Sequence, residues 1–138
     1  AVDMGGAPVS ALGGIAVRVA QKRGLAAIVV DGGSRDLDET LHAGFPLFVR
    51  HSVPVTGRRR VKLIATSVPI QLDGVTVSPD DILVGDDTGI VGVPKASAHE
   101  VLKRATAIDA RDRRAREAVE RGLEFADAFR AAGSPEYP

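Results

Sequence analysis

A chain of 138 residues with 44% hydrophobic content is long enough for one domain around one core. Its 18 basic residues balance its 18 acidic ones, so no global field steers it to nucleic acid or to a membrane surface. Cysteine is absent, which excludes disulfide staples, thiol catalysis and Cys-ligated zinc or iron–sulfur sites.

No apolar run approaches the roughly 20 residues of a transmembrane helix, and no basic-then-apolar segment stands at the start. A soluble, cytoplasmic protein is the expectation. The chain opens on Ala1-Val2-Asp3-Met4-Gly5-Gly6 without an initiator methionine and reads as the middle of something longer, with an N-terminal portion truncated or removed by a protease. Val2-Asp3 reads as the end of a strand running into a glycine loop.

Gly13-Gly14 precedes residues 15–23, where Ile15, Val19 and Ala20 fall at helical spacing and Gly24 supplies a stop. Residues 25–30 form a continuous Ile/Val-rich run, as expected of a strand buried on both faces. A glycine turn, Gly32-Gly33, should follow. Residues 35–43 read as a short helix with Ser34 as N-cap and Gly44 past its end, and residues 45–49 as a second strand, parallel to the first by a right-handed crossover. After a polar loop over residues 51–60, short strands are expected at 62–66, 68–72, 75–77, 82–85 and 90–93. They are punctuated by Asp73-Gly74, by Ser78-Pro79-Asp80-Asp81 and by Asp86-Asp87-Thr88-Gly89, and Asp-Gly between β-rich runs is a strong hairpin signal. From about residue 96 to 132 the pattern is helical, with Glu100, Lys103 and Arg104 on one side and Val101, Leu102, Ala105 and Ile108 on the other; Gly122 divides it. The fold class is α/β: a parallel part, a β-rich second half and C-terminal helices, with residues 1–95 as the domain and 96–138 as its helical extension.

The densest chemistry lies in Asp31-Gly32-Gly33-Ser34-Arg35-Asp36-Leu37-Asp38-Glu39. A purely structural account has Arg35 pairing with Glu39 at i,i+4 and the acids favouring the helix dipole. Two features favour function. The loop follows a buried strand, where α/β sheets place their ligands. A second glycine turn, Gly13-Gly14, also opens a helix and offers backbone N–H groups to an anion. Twenty residues separate Gly14 from Arg35, the length of one helix and one strand, so the two turns are placed to face each other.

The pattern Gly14-(twenty residues)-Arg35-Asp36-(two residues)-Glu39 resembles the signature of the RraA-like family, which includes class II 4-hydroxy-4-methyl-2-oxoglutarate aldolases and regulators of ribonuclease E activity. The likeness continues through Val29-Val30-Asp31-Gly32-Gly33-Ser34-Arg35-Asp36 and Gly44-Phe45-Pro46-Leu47-Phe48. It returns in Val68-Pro69-Ile70, in Gly74-Val75-Thr76-Val77-Ser78-Pro79-Asp80-Asp81 and in the stretch from Asp86 to Pro94. It spans about residues 1–105, and family members carry a further N-terminal region.

The resemblance implies a β/β/α swivelling-type domain, assembled as homotrimers or hexamers with active sites between subunits, and magnesium or manganese chemistry on small 2-oxo acids. By position, the backbone N–H groups of Gly13, Gly14, Ile15 and Ala16 would hold the pyruvoyl carboxylate. Arg35 would bind the keto oxygen and stabilise the enolate, and Asp36 would ligate the metal. Aldolase members often carry an acidic residue where this chain has Gly14, and a further carboxylate from a neighbouring subunit has no counterpart that can be placed in the C-terminal helices.

The chemistry agrees. Cleaving a carbon–carbon bond next to a ketone leaves an enolate, whose charge a divalent cation and a guanidinium stabilise, and hard oxygen ligands suit magnesium or manganese. A Schiff-base route needs a lysine of lowered pKa, and none of Lys22, Lys62, Lys95 and Lys103 falls beside the glycine turns. His42, His51 and His99 are too scattered for a zinc pair; Ser10 and Ser34 lack a nucleophile-elbow context. Asp80-Asp81 and Asp86-Asp87 read as turn residues rather than calcium ligands, and Arg58-Arg59-Arg60 as a solvated loop rather than a grip on RNA or phosphate. Two functional classes emerge: a metal-dependent lyase releasing pyruvate from a 4-hydroxy-2-oxo acid, with oxaloacetate decarboxylation as a side activity, and a non-catalytic regulator that binds a protein partner.

Overall fold

The computed structural model describes residues 1–135. The chain divides into two units, Ala1–Pro94 and Lys95–Pro138. The first holds a three-stranded parallel sheet built from β1 (Val2–Leu12), β2 (Ile28–Ser34) and β3 (Leu47–Ser52), with β2 in the middle. Helix α1 (Gly14–Lys22) links β1 to β2 and α2 (Leu37–His42) links β2 to β3, so the expected parallel pairing of two helix-linked strands is present. Two antiparallel hairpins follow: β4 (Ile70–Leu72) with β5 (Val75–Val77), and β6 (Ile82–Asp86) with β7 (Gly89–Val93). Asp73-Gly74 turns the first, both residues at positive φ as a tight Asp-Gly turn requires.

Several boundaries differ from the sequence expectation. The chain does not leave the sheet after Val2-Asp3. β1 continues to Leu12, and the register slips between Asp3 and Ala7, between Ala7 and Ser10, and again before Leu12. Gly5 and Gly6, at φ +58° and +73°, carry the first slip. Gly32-Gly33 is not a turn but the second half of β2. Both glycines are there for close approach: a Cβ on Gly32 would lie 2.8 Å from the Met4 side chain, and one on Gly33 would lie 2.7 Å from the Val9 carbonyl oxygen. β2 therefore begins later than the apolar run, and Leu25 is exposed. β3 likewise begins at Leu47, with Phe45 left as a core residue. The run at 62–66 forms no strand, and Leu63 and Ile64 are exposed.

The core of this unit is Val17, Ala20 and Phe45, with Leu12, Ile28 and Leu47 packed against it. Burying a side chain such as Val17 contributes roughly 1.5–3 kcal/mol. The buried stripe of α1 is thus Gly14, Val17 and Ala20; Ile15 and Val19, expected on the apolar face, are exposed. The packing of α1 and α2 over the sheet fixes the turns that precede both helices.

The second unit contains a 3-10 turn (Lys95–Ser97), α3 (Ala98–Glu120) and α4 (Phe125–Ala131). The break comes at Gly122, at φ +94°, as expected. The two helices meet through alanines: Ala115, Ala118, Ala128 and Ala132 are all buried. Val101, Leu102 and Ile108 are exposed. Among the described residues no helix is long and apolar enough to cross a membrane.

Candidate active site

The carboxyl ends of β1 and β2 lie side by side, because the strands are parallel neighbours. Leu12 pairs with Ser34, and the Leu12 carbonyl accepts a hydrogen bond from the Ser34 hydroxyl at 3.0 Å and one from the Arg35 N–H at 3.4 Å. Ser34 is therefore a fully buried tie between strands, not the N-cap of α2. That cap is Asp36, in the left-handed region at φ 58°, ψ 37°, a conformation that Asp tolerates better than most side chains. The Thr40 N–H and hydroxyl both donate to the Asp36 carbonyl, at 3.1 and 3.2 Å.

This twist brings the Arg35-Asp36 pair against the Gly13-Gly14 turn. The Gly14 N–H donates to Asp36 Oδ2 at 3.2 Å, and Arg35 Nε lies 3.4 Å from the same oxygen. The two turns do face each other. A Cβ on Gly13 would stand 2.5 Å from Asp36 Oδ2 and 2.9 Å from Arg35 Nε, so only a glycine lets the acid and the cation reach the turn. Gly13 itself caps α1 in extended backbone, and its carbonyl accepts the Ala16 and Val17 N–H groups at 2.9 and 3.2 Å. Of the four backbone N–H groups assigned to a carboxylate, that of Gly14 is thus engaged by Asp36 and that of Ala16 by the first turn of α1. Those of Gly13 and Ile15 sit at the positive end of the helix dipole.

Glu39 completes the group from the first turn of α2. It does not pair with Arg35; Arg18 Nε on α1 donates to its Oε1 at 2.9 Å. A Cβ on Gly14 would collide with Glu39 Oε2 and stand 2.6 Å from its Cδ. The Glu39 carboxylate thus fills the space in which an acidic side chain at position 14 would begin. Sequence reasoning missed Arg18, although its place one helical turn after Gly14 puts it on the same face of α1. Asp38 stays apart, its carbonyl contacting the His42 ring at 2.6 Å.

Both members of the Arg35-Asp36 pair are half-exposed, and Arg35 lines two adjoining clefts. One also holds Asp36, Asp38 and Ser52; the other holds Gly13, Thr56 and Arg58. Asp36 Oδ2 takes the contacts of both Gly14 and Arg35, and Oδ1 takes neither. The donor set, two carboxylates with one oxygen left open, fits a hard divalent cation. Among the described residues no three His, Asp or Glu side chains gather around one point, so such an ion would draw its remaining ligands from water, substrate or another chain.

Asp31 belongs elsewhere. Arg50 Nε on β3 lies 2.5 Å from Asp31 Oδ1 and donates to it, and Arg50 Nη2 donates to Asp73 Oδ1 at 2.8 Å. The Asp73 N–H donates to Asp31 Oδ2 at 3.0 Å. These bonds, Arg50's first, hold the Asp31 carboxyl below its ordinary value and push Arg50 above its own. With Asp3 Oδ2 accepting the Gln71 N–H at 3.0 Å, they clasp the β4–β5 hairpin to the sheet. His51 Nε2 contacts the Gly6 carbonyl at 3.0 Å. Asp86 accepts bonds from the Thr88 hydroxyl and N–H within its turn and is held below its ordinary value by them.

In this mixed α/β domain the parallel strand ends thus join a glycine turn, an Arg-Asp pair and a second carboxylate. The chain belongs to the RraA-like family, whose model, described as Aldolase/RraA, matches residues 1–92. It is 33% identical over 95 residues to the 4-hydroxy-4-methyl-2-oxoglutarate aldolase of Thermus thermophilus, covering 68% of this chain and 57% of that protein. Its fold matches an uncharacterized protein of Pseudomonas syringae with a TM-score of 0.89 at 34% identity, over 92% of this chain and 64% of that one. It also matches Streptomyces coelicolor RraAS2, described as an unusual member of the RNase ES inhibitor RraA family, with a TM-score of 0.65 at 34% identity, over 71% and 50% of the two chains. The chain spans about half the length of the curated relatives it matches.

Proposed function

We propose that this chain carries the active site of a divalent-metal-dependent carbon–carbon lyase, a class II aldolase that cleaves a 4-hydroxy-2-oxo acid to pyruvate, with oxaloacetate decarboxylation as a side activity. The observation that carries this reading is the contact of Asp36 with the Gly14 N–H, which sets a cation and a carboxylate on a helix N-terminus. The α1 turn offers N–H groups and a positive dipole end to the substrate carboxylate. Arg35 donates to the keto oxygen and meets the negative charge that grows there as the bond breaks. Asp36, with Glu39 beside it, would hold Mg2+ or Mn2+, which supplies Lewis-acid stabilisation of that charge when bound.

Assembly as a homotrimer or hexamer in the cytoplasm belongs to the same proposal. The assembly, though not the location, is supported by Ile15 on α1 and Leu41 on α2, both more than three-quarters exposed. A second reading, a regulator that binds a protein partner, is favoured by the likeness to Streptomyces RraAS2, of the RNase ES inhibitor RraA family, and to a Thermus RraA described as an RNA-processing inhibitor. The test is pyruvate release from 4-hydroxy-4-methyl-2-oxoglutarate and from oxaloacetate, with Mg2+ or Mn2+ and then with EDTA. Release that EDTA abolishes supports the lyase; none from the folded protein supports the regulator.

A further inference from the structure

Glu39 stands three residues past Asp36, the N-cap of α2. A glutamate in that place commonly folds back onto the cap's own N–H and satisfies a helix-end donor. Glu39 reaches across to α1 instead. Its Oε1 accepts from Arg18 Nε at 2.9 Å, and its Oε2 lies where a Cβ on Gly14 would collide with it. Among the described residues Oε2 takes no hydrogen bond or ion pair. Arg18 follows Gly14 by four residues in α1, so the two share one face of that helix. The glycine clears the space, and the guanidinium one turn later draws the carboxylate into it.

Two carboxylates around the glycine turn are thus held alike. Asp36 has Oδ2 tied by the Gly14 N–H and Arg35, with Oδ1 open; Glu39 has Oε1 tied by Arg18, with Oε2 open. Helix docking does not account for the second tie. The Arg18 and Glu39 side chains are 62% and 43% exposed, and an ion pair so open adds little to stability. One turn further along α1, Gln21 Nε2 already fastens the helix to the end of α2, donating to the Ala43 carbonyl at 2.9 Å. What the Arg18 bond fixes is the direction of a long, flexible acid.

We propose that Arg18 is a positioning residue for the metal: it holds Glu39 over the Gly14 turn with one oxygen open, so that Glu39 and Asp36 meet a divalent cation together. The proposal rests on the metal site of the lyase reading and adds the group that aims its second carboxylate. It carries a sign that simple electrostatics reverses. A guanidinium that merely stands near a divalent cation repels it, so its removal tightens binding. Removing one that aims a ligand weakens binding, by about tenfold or more for a partner of this kind.

The test is Mn2+ binding to the chain without substrate, followed by the electron paramagnetic resonance of the free ion. The wild type is compared with Arg18→Ala, Arg18→Lys, Glu39→Gln and the double variant Arg18→Ala/Glu39→Gln. Arg18→Ala should weaken Mn2+ binding about tenfold at an unchanged thermal midpoint. Arg18→Lys should keep most of the affinity, because Glu39 takes a single bond and not a fork. With Glu39→Gln in place, Arg18→Ala should cost nothing further. Three results overturn the proposal: binding unchanged or tighter in Arg18→Ala, a loss that Arg18→Lys shares in full, or an equal loss in the Glu39→Gln background. A wild type that binds no Mn2+ also overturns it, and removes the metal site of the lyase reading as well. Mn2+ binding that depends on Arg18, without pyruvate release from any aldol substrate, sustains the proposal and removes the lyase. Pyruvate release with Mn2+ binding indifferent to Arg18 does the reverse.

Discussion

β2 delivers two aspartates to two arginines, five residues apart, and the pairs could hardly differ more. At the clasp, Asp31 uses both oxygens: Oδ1 takes Arg50 at 2.5 Å and Oδ2 takes the Asp73 N–H at 3.0 Å. Its side chain is 9% exposed. At the strand end, Asp36 sits 3.4 Å from Arg35 with its side chain 45% exposed, and both of its contacts converge on Oδ2. A saturated carboxylate fastens a hairpin and has nothing left to give a ligand. A half-satisfied carboxylate beside a half-exposed cation is a poor fastener and a ready ligand. On the proposed reading the ligand is the carboxylate with the open oxygen, not simply one in an ion pair.

The largest consequence of that contrast falls on chemistry. Asp36→Asn keeps a side chain that tolerates left-handed backbone and can still accept the Gly14 N–H, but removes the charge. If the lyase reading holds, metal-dependent pyruvate release should fall on the order of 10²–10³-fold with little change in thermal midpoint. Arg35→Lys should also be severe, since an ammonium cannot reproduce a planar fork. Steady-state kinetics beside a melting curve separates the two effects. Retained turnover in Asp36→Asn would erase the distinction between the two aspartates.

Gly13→Ala should come next. At φ −143° the backbone accepts any residue, so strain is not the issue and the fold should survive. The new methyl must displace Asp36 Oδ2 and Arg35 Nε, its nearest neighbours. A shift of that size at a reacting centre costs on the order of 10²-fold in rate. Gly14→Ala should be milder, because it presses only on the far end of Glu39, which can swing away from Arg18. A Gly13→Ala variant as active as the wild type would mean that the pair works without touching the turn.

Much of this arrangement is legible in the residues. Gly24, Gly44 and Gly122 mark where helices end, and Asp73-Gly74 marks a hairpin, because positive φ is a local demand with a local answer. The meeting of Gly14 with Asp36 also follows from local counting, one helix and one strand apart. Close approach is not local. Gly32-Gly33 reads as a turn until Met4 and Val9 are seen against it, and the Asp31 clasp depends on a partner in another strand and a turn 42 residues away. The Arg18–Glu39 pair likewise joins two helices whose packing no single periodicity discloses. Ile15 and Val19 fit a helical apolar stripe, yet the core selects Val17 and Ala20.

The smallest effect expected on activity, and the clearest on stability, belongs to the clasp. Arg50 and the Asp73 N–H hold Asp31 below its ordinary carboxylate value of 3.8. A carboxylate depressed on folding binds fewer protons in the native state than in the unfolded one. Its contribution to stability is therefore complete above the unfolded value and fades as pH falls from about 4 through the lower native value. Asp31→Asn removes that contribution at neutral pH and flattens the stability profile in the acid window. Asp86, depressed by Thr88 in its own turn, stays in the variant and leaves a residual slope of the same sign. Denaturant melts of the two proteins from pH 7 to pH 2 should thus diverge most at neutrality and converge in acid, with pyruvate release per folded molecule unchanged at pH 7. Parallel profiles would show that Asp31 is not the saturated partner its geometry describes. A large loss of turnover would place it in the same functional unit as Asp36.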